Sequence, residues 1–175
     1  MAIDETLTFH PLRIAILTVS DTRTNETDTS GACLEDRATT AGHTIVERRI
    51  LPDDIQTLIA QLNSWTARED IEVILTTGGT GVTGRDSTPE ALEAVGEKTI
   101  PGFGELFRWL SYQTIGTSTI QSRATAVVTR GTYIFALPGS TGACKDAWDG
   151  ILKDQLDSRH KPCNFAELIP RLREH

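Results

Sequence analysis

Residues 74–92, ILTTGGTGVTGRDSTPEAL, place four glycines within seven positions and an aspartate just beyond them. Residues 78–84 are called the glycine loop below. Glycines expose backbone N–H groups, and the threonines between them add hydroxyl donors, which are the groups that bind an oxyanion. Asp86 follows the loop, and a carboxylate is a good ligand for Mg²⁺. The segment therefore predicts a phosphate site, and a wide turn that needs glycine only for positive φ angles is the alternative.

Two known phosphate motifs fit the glycine loop poorly. Residues 79–84 match G-x-G-x-x-G, but that dinucleotide motif starts its helix inside the glycines, whereas here the helix signal comes at residues 87–89. The same residues have the spacing of a P-loop, but Arg85 and Asp86 stand where that motif has a lysine and a hydroxyl residue. The pattern therefore favours a different phosphate site, in which an arginine and a carboxylate are available.

Two other strand ends carry similar side chains. The first apolar run leads into Ser20 and Asp21, and the last leads into Pro138-Gly139-Ser140 before a helix, whose N-terminal dipole favours anions. In an open α/β sheet, ligands bind outside the carboxyl ends of the strands. We therefore expect these loops to share one crevice with the glycine loop. An ordinary turn at Ser20 and a helix cap at Ser140 are the simpler alternatives.

A fourth polar segment, GTSTIQSRA at residues 116–124, precedes a predicted strand. Ser118, Ser122 and Arg123 of this segment are available to a polar ligand. A loop that only leads into the next strand accounts for the same residues.

Short apolar runs alternate with amphipathic stretches, which predicts a single α/β domain over residues 1–175, with three layers and a mostly parallel, twisted sheet. Strands are predicted at residues 12–20, 44–52, 71–77, 124–130 and 132–138, and Gly131 turns the last two into a hairpin. Helices are predicted at residues 30–42, 53–65, 88–95, 102–113 and 141–156. Ser30 and Asp53 are the expected N-caps of the first two helices. Residues 158–175 form a polar tail that packs on a neighbour or frays.

Composition excludes several classes of protein. A net charge of −7 argues against a nucleic-acid partner. No apolar run approaches the ~20 residues that span a bilayer, so no membrane partner is expected. Asp4 and Glu5 stand where an export signal would be basic, and the three cysteines are widely separated, so we expect a cytoplasmic protein. The four histidines form no i, i+4 pair, which argues against a zinc site.

Taken together, these segments resemble the MoaB/MogA family of molybdenum-cofactor biosynthesis proteins over residues 12–168. The resemblance is carried by SDTRT, LPDD, TTGGTGVTGRDSTPEAL, PGFGELFR, GTSTIQSRA and ALPGSTGAC. The block GFGELFRWLSYQTIGTSTIQSRA and the tail sequence PCNF look like the MoaB branch more than the MogA branch.

The resemblance implies a reaction in which molybdopterin and MgATP give adenylyl-molybdopterin and pyrophosphate. It also implies a homo-oligomer built on trimers, commonly a hexamer. It assigns the two catalytic carboxylates, which are also the candidate Mg²⁺ ligands, to Asp53 and Asp86. The candidate substrate-binding residues are Ser20, Asp21, Thr77, Gly78, Gly79, Thr80, Gly81, Ser118, Pro138, Gly139 and Ser140. A non-catalytic protein that binds or carries molybdopterin is the alternative, and a nicotinamide-dependent oxidoreductase would depend on the G-x-G-x-x-G match alone.

Overall fold

A computed structural model describes residues 3–174, which form one six-stranded sheet between two layers of helices. The strands are β1 (Arg13–Val19), β2 (Thr44–Leu51), β3 (Val73–Thr77), β4 (Lys98–Thr99), β5 (Thr125–Thr129) and β6 (Thr132–Leu137). The α-helices are α1 (Thr29–Thr40), α2 (Ile55–Thr66), α3 (Thr88–Val95), α4 (Pro101–Ile115), α5 (Thr141–Ala147), α6 (Lys153–Gln155) and α7 (Phe165–Leu168). 3₁₀ turns follow α4 and α7, at Gly116–Gln121 and Ile169–Arg171, and a π-helical turn, Trp148–Leu152, joins α5 to α6.

The sheet is mostly parallel, and this confirms the predicted fold class. The strand order is β2-β1-β3-β6-β5-β4, with β2, β1, β3 and β6 parallel and the β5–β6 and β4–β5 pairs antiparallel. The predicted hairpin joins β5 to β6 through Arg130 and Gly131, both at positive φ (50° and 81°). Two consecutive positive φ values are typical of the tight turns that suit the twist of a hairpin. The short strand β4 was not predicted, because two exposed residues leave no periodicity to detect.

Apolar side chains fill a layer on each face of the sheet. On one face, α1, α4, α5 and the π-helical turn contribute side chains such as Phe107 and Trp148 to a layer that includes Phe135 of β6. On the other face, α2 and α3 cover a layer that contains Trp65 and Ile74. Because both faces are covered, β3 and β6 are buried along their whole length instead of alternating between buried and exposed residues.

The N-caps of the first two helices lie close to the predicted ones but not on them. Asp28, and not Ser30, caps α1 by accepting a hydrogen bond from the Gly31 amide (2.9 Å). Asp54, and not Asp53, caps α2 by accepting one from an amide of the first turn (2.8 Å). Asp53 and Asp54 are both suitable cap residues, and only the backbone conformation, extended at Asp54, selects between them. Asp53 is thereby free to contact another part of the chain.

The tail folds back onto its own chain over residues 158–174, so it does not fray there, which was one of the two expectations for it. His160 is buried and forms a β-bridge with Ile3. The ring of Phe165 lies 4.8 Å from that of Tyr133, centroid to centroid, at the edge of the core. These buried anchors fix the tail although its overall composition is polar. Within residues 3–174, the helices are all too short or too polar to cross a membrane.

Candidate functional site

Three loops meet at the carboxyl edge of the sheet and surround a cavity of about 490 Å³. They follow β1, β3 and β6, which are parallel neighbours, so the predicted shared crevice is confirmed. Cavities that hold small ligands and cofactors usually measure about 300–1,000 Å³. Most of the predicted site residues line the cavity: Ser20, Thr77, Gly78, Gly79, Thr80, Gly81, Asp86, Pro138, Gly139 and Ser140.

Three predicted site residues lie outside the lining. Ser118 is exposed in the 3₁₀ turn Gly116–Gln121, and Ser122 of the same segment reaches the cavity in its place. Asp21 is exposed on the loop after β1. Asp53 lies behind the glycine loop, where its carboxylate faces the backbone of that loop.

Sequence reasoning missed one wall of the cavity. Phe107, Ser111 and Ile115 succeed one another at i, i+4 spacing along α4 and line this wall. This i, i+4 spacing was the signal in the sequence from which the wall could have been predicted. Two buried hydroxyl residues, Thr18 and Ser30, also line the cavity, and nothing in an apolar strand or at a helix start distinguishes such residues from ordinary core positions.

The first two glycines of the loop are required by sterics. Gly78 has a φ of +104°, and a Cβ there would lie 2.2 Å from the carbonyl oxygen of Val19 on the neighbouring strand. Gly79 has a φ of +63°, and its Cβ would lie 2.6 Å from Oδ2 of Asp53. The alternative that the glycines only shape a turn thus accounts for both Gly78 and Gly79. A turn alone would not, however, need Gly79 to lie so close to the Asp53 carboxylate. The dinucleotide alternative fails, because α3 begins only at Thr88, beyond all the glycines.

Asp86 is a carboxylate on the cavity wall. Its Oδ2 accepts hydrogen bonds from the Thr83 hydroxyl (2.6 Å) and the Thr83 amide (2.8 Å). These bonds, with the Gly81 amide and the charge of Arg123, outweigh partial burial and lower the pKa of Asp86. The group is therefore ionised at neutral pH and presents negative charge beside a loop of N–H donors.

Asp53 is held against the far side of the same loop. Its Oδ1 accepts hydrogen bonds from the Ser87 hydroxyl (2.6 Å) and the Ser87 amide (3.1 Å). Its own amide donates to Oδ1 of Asp21 (3.3 Å), and Oδ2 of Asp21 accepts from Arg85 (2.7 Å). Hydrogen bonds made by Asp21 and Asp53 thus link the loop after β1 to the segment that carries Asp86.

Positive charge inside the cavity is sparse. Arg23 is the one arginine or lysine among the lining residues, and its guanidinium already donates to the Thr27 carbonyl (3.0 Å) and the Thr29 hydroxyl (3.2 Å). A ligand phosphate would therefore meet mainly backbone amides, the Thr80 side chain and the N-terminus of the helix that starts with α5. Ser140 caps that helix through the Ala143 amide (3.2 Å), so its simpler interpretation is confirmed.

The side chains around the cavity meet the needs of a bound metal ion only in part. Within residues 3–174, no group of three His, Cys, Asp or Glu side chains could hold a metal ion. Asp86 is the one carboxylate among the lining residues. Mg²⁺ is usually bound through one or two carboxylates together with substrate phosphates. The site therefore fits a cation that arrives with a phosphate ligand, and not a metal centre built by the protein alone.

Comparison with known proteins agrees with this geometry. A family model described as a probable molybdopterin binding domain matches residues 15–158, which include both carboxylates and every residue of the cavity lining. Molybdenum cofactor biosynthesis protein B of Escherichia coli (strain K12) is 52% identical over 157 residues, which cover 90% of this chain and 92% of that protein. The protein of the same name from Bacillus anthracis is 43% identical over 146 residues, 83% of this chain and 86% of its own. A crystal structure of a molybdenum cofactor biosynthesis protein B superposes with a TM-score of 0.85 at 37% identity, over 95% of this chain and 98% of the other.

Fold and cavity together define an α/β protein with a ligand-sized cavity at the carboxyl edge of its sheet. The chain belongs to the molybdopterin-binding domain family, as its match over residues 15–158 and its close relatives show. It therefore has a role in molybdenum cofactor biosynthesis, in agreement with the resemblance found in the sequence.

Proposed function

We propose that the cavity binds molybdopterin and that the protein transfers an adenylyl group to it from MgATP. The observation that carries this proposal is the ionised carboxylate of Asp86 on the cavity wall beside the glycine loop. A site that only bound a phosphate would be weakened by a nearby negative charge. A site that must also manage the counter-cation of a nucleotide uses such a carboxylate.

The proposed reaction joins two anions without a covalent enzyme intermediate. An oxygen of the molybdopterin phosphate attacks the α-phosphorus of ATP and forms a new P–O bond. The bond from that phosphorus to the oxygen that bridges to the β-phosphate breaks, and pyrophosphate leaves with the electron pair. The protein has to position the two phosphates and stabilise the charge that develops on them.

Each part of the site has a proposed role. The backbone of residues 78–81 and the buried Thr80 side chain hold phosphate, and Ser20 and the Pro138-Gly139-Ser140 turn complete the pocket. Mg²⁺ that arrives with ATP would be held by Asp86 together with the phosphates, and it would neutralise charge on the departing pyrophosphate. Asp53 acts from behind the loop, where it fixes the Ser87 backbone next to Asp86.

The test is an adenylylation assay with purified protein, molybdopterin, ATP and Mg²⁺. We expect the wild type to form adenylyl-molybdopterin and pyrophosphate, and Asp86→Asn to lower turnover by roughly 100-fold, the usual loss when a group that stabilises transition-state charge is removed. Asp53→Asn should also lower turnover, because a neutral amide oxygen accepts the Ser87 hydrogen bonds more weakly than a carboxylate does. Asp36→Asn, at an exposed position of α1, is the matched control and should keep wild-type turnover. A folded wild type that yields no product would refute the proposal.

A non-catalytic molybdopterin-binding protein is the second candidate, and a specific observation favours it. Hydrogen bonds from Ser87 and Thr83 already engage one oxygen each of Asp53 and Asp86, and no preformed metal site exists within residues 3–174. This candidate predicts molybdopterin binding that survives Asp86→Asn with no turnover in either form. Fluorescence titration beside the assay separates the two functions.

We also propose that the protein forms a homo-oligomer, a trimer or a hexamer, through the outer face of α4 and the turn after it. Large apolar side chains are exposed there, with Trp109 62% and Ile120 81% accessible, and Leu106 and Tyr112 are exposed three residues before and after Trp109 on α4. Contiguous exposed apolar surface on a soluble protein marks an interaction site. Light scattering should give a mass three or six times that of one chain. Trp109→Glu should reduce it to one, and a wild type that is monomeric would contradict the proposal.

A further inference from the structure

The guanidinium of Arg123 bonds to the glycine loop and is not among the residues that line the cavity. Its Nε donates to the Gly81 carbonyl and its Nη2 to the Asp86 carbonyl, both at 2.6 Å. Its Nη1 pairs with the Glu90 carboxylate in the first turn of α3. The side chain is therefore not part of the lining of this cavity, which corrects the expectation that it would face the ligand. Of its partners, Gly81 precedes the turn that carries Asp86 and Glu90 follows it.

One peptide unit lies between Arg123 and Asp53. The Asp86 carbonyl that accepts from Arg123 shares its peptide with the Ser87 amide, and that amide donates to Asp53 Oδ1 at 3.1 Å. A peptide unit is planar, with its C=O and N–H pointing in opposite directions, so fixing one group fixes the other. Opposite charges at the two ends also polarise the unit and strengthen both hydrogen bonds.

A second peptide unit lies between Arg123 and Asp86. The backbone amide of Arg123 donates to the Thr80 carbonyl at 3.0 Å. The same peptide carries the Gly81 amide, and Gly81 lies so close to Asp86 that a Cβ would stand 2.7 Å from its Oδ2. The amide hydrogen bond from Gly81 contributes to the lowered pKa of Asp86.

We propose that Arg123 is a positioning residue that sets the orientation of Asp53 through its side chain and of Asp86 through its backbone amide, by way of these two shared peptide units. Its guanidinium holds the carbonyls of residues 81 and 86 and its backbone amide holds that of residue 80, so the amides of residues 87 and 81 turn toward the two carboxylates. The expected effect of Arg123 on turnover rests on the proposed function. Its expected effect on the backbone amides does not, so the two effects can be tested separately.

The first test measures backbone amide hydrogen exchange by NMR, without substrate. Arg123→Met should raise exchange at the Ser87 amide by tenfold or more and leave the strand amides of β1 and β3 unchanged. The Gly81 amide should change less, because its peptide unit is held by the backbone amide of residue 123, which methionine keeps. Glu90→Gln removes the ion pair but keeps both carbonyl contacts, so it should change these amides much less. Arg13→Met, which removes a surface ion pair with Glu72 at the opposite edge of the sheet, is the matched control. Unchanged exchange at Ser87 in Arg123→Met, or a uniform rise across the sheet, would overturn the inference.

The second test is a double-mutant cycle on turnover with Asp53→Asn. Arg123→Met should lower kcat by more than tenfold while the KM for molybdopterin changes less than threefold, because the α4 wall and the turn at residues 138–140 are intact. Because the two residues hold one peptide unit, the double variant should lose less than the product of the single losses. Arg123→Lys should recover little, since one ammonium cannot bond both carbonyls as the planar fork does. Multiplicative losses would overturn the coupling, whereas a wild type without turnover refutes the proposed function and leaves the exchange experiment to decide the inference.

Discussion

Two arginine–aspartate clusters flank the cavity, and they differ in how the arginine is used. In the first, Arg48 pairs directly with the carboxylate of Asp28 at 2.8 Å, and the two side chains are 18% and 0% exposed. In the second, Arg123 bonds the backbone carbonyls of Gly81 and Asp86 and is 33% exposed. The first cluster joins two side chains in the interior, whereas the second organises a backbone segment near solvent.

The Arg48 cluster is a stability element. Asp28 accepts from the Thr18 hydroxyl (2.7 Å) and the Gly31 amide (2.9 Å) besides Arg48. Burial opposes ionisation of Asp28, but the hydrogen bonds from Gly31, Thr18 and Arg48 outweigh it, and its pKa is lowered. Its hydrogen bonds thus tie β1, β2 and the start of α1 together under the cavity.

The Arg123 cluster has a different consequence. Its carboxylates, Asp53 and Asp86, are only partly buried, and they keep their contacts with the loop and not with the guanidinium. A segment of this kind can adjust to a ligand, because few of its contacts belong to the core. We infer from this comparison that the Arg48 side of the cavity is rigid, whereas the Arg123 side carries the carboxylates proposed to act in the reaction.

The largest effect is expected from Asp28→Ala. It removes the α1 cap and leaves the Arg48 guanidinium without its buried partner, and breaking a buried pair in this way costs about 3–5 kcal/mol. Urea unfolding at pH 7 measures the loss. Glu35→Ala, which removes the exposed second partner of Arg48, is the control and should cost about 1 kcal/mol or less. Equal losses in the two variants would break the comparison.

The next effect comes from a matched pair of glycine substitutions. A Cβ at Gly31 would stand 2.2 Å from Asp28 Oδ2, and one at Gly81 would stand 2.7 Å from Asp86 Oδ2. In the buried cluster the carboxylate cannot move, so Gly31→Ala should cost about 1–3 kcal/mol of unfolding free energy. Gly81→Ala should cost less than about 1 kcal/mol, because the loop can shift, but it should lower turnover. Thermal melts and the adenylylation assay check the pair, and the reverse order of stabilities would contradict the assignment.

The contrast between the two clusters also shows what the sequence can and cannot predict. Strand ends rich in Gly, Ser and Asp predict the crevice, because parallel neighbours must place their carboxyl ends at one edge. Asp86 is predictable for the same reason, since it follows the glycine loop directly. These inferences need only strand direction and order, which hydrophobic patterns specify.

Side-chain direction is what the sequence leaves undetermined. Asp53 and Asp54 are adjacent and chemically identical, and the backbone conformation of one residue decides which of them caps α2. Arg123 follows Ser122 in a polar segment, and only the folded loop shows that its guanidinium turns away from the ligand cavity. Both choices depend on tertiary contacts between segments far apart in the chain, so local spacing cannot resolve them.

A smaller effect is expected on the pH dependence of stability. The pKa values of Asp28 and Asp86 are both lowered in the folded protein, so each contributes stability that is present above the normal Asp pKa of about 3.9 and is lost as pH falls through the folded value. The unfolding free energy should therefore decline as the pH falls below about 5. Asp28→Asn should flatten this decline more than Asp86→Asn, because Asp28 has the greater number of buried partners. Urea unfolding between pH 3 and pH 7 tests this, and a larger flattening in Asp86→Asn would reverse the assigned roles.

The smallest effect is expected from Arg85→Gln, which probes the boundary between the two clusters. Arg85 pairs with Asp21 at 2.7 Å and bridges the loop after β1 to the glycine loop, but the two side chains are 69% and 42% exposed. Solvent and salt screen such a pair, so its loss should change the unfolding free energy by less than about 0.5 kcal/mol. The measurement is urea unfolding at low and high salt, with Arg171→Gln, which removes another exposed ion pair outside the cavity, as the matched control. A loss comparable to that of Asp28→Ala would mean that the glycine loop is anchored as rigidly as the interior cluster. The division between a rigid and an adjustable side of the cavity would then be wrong.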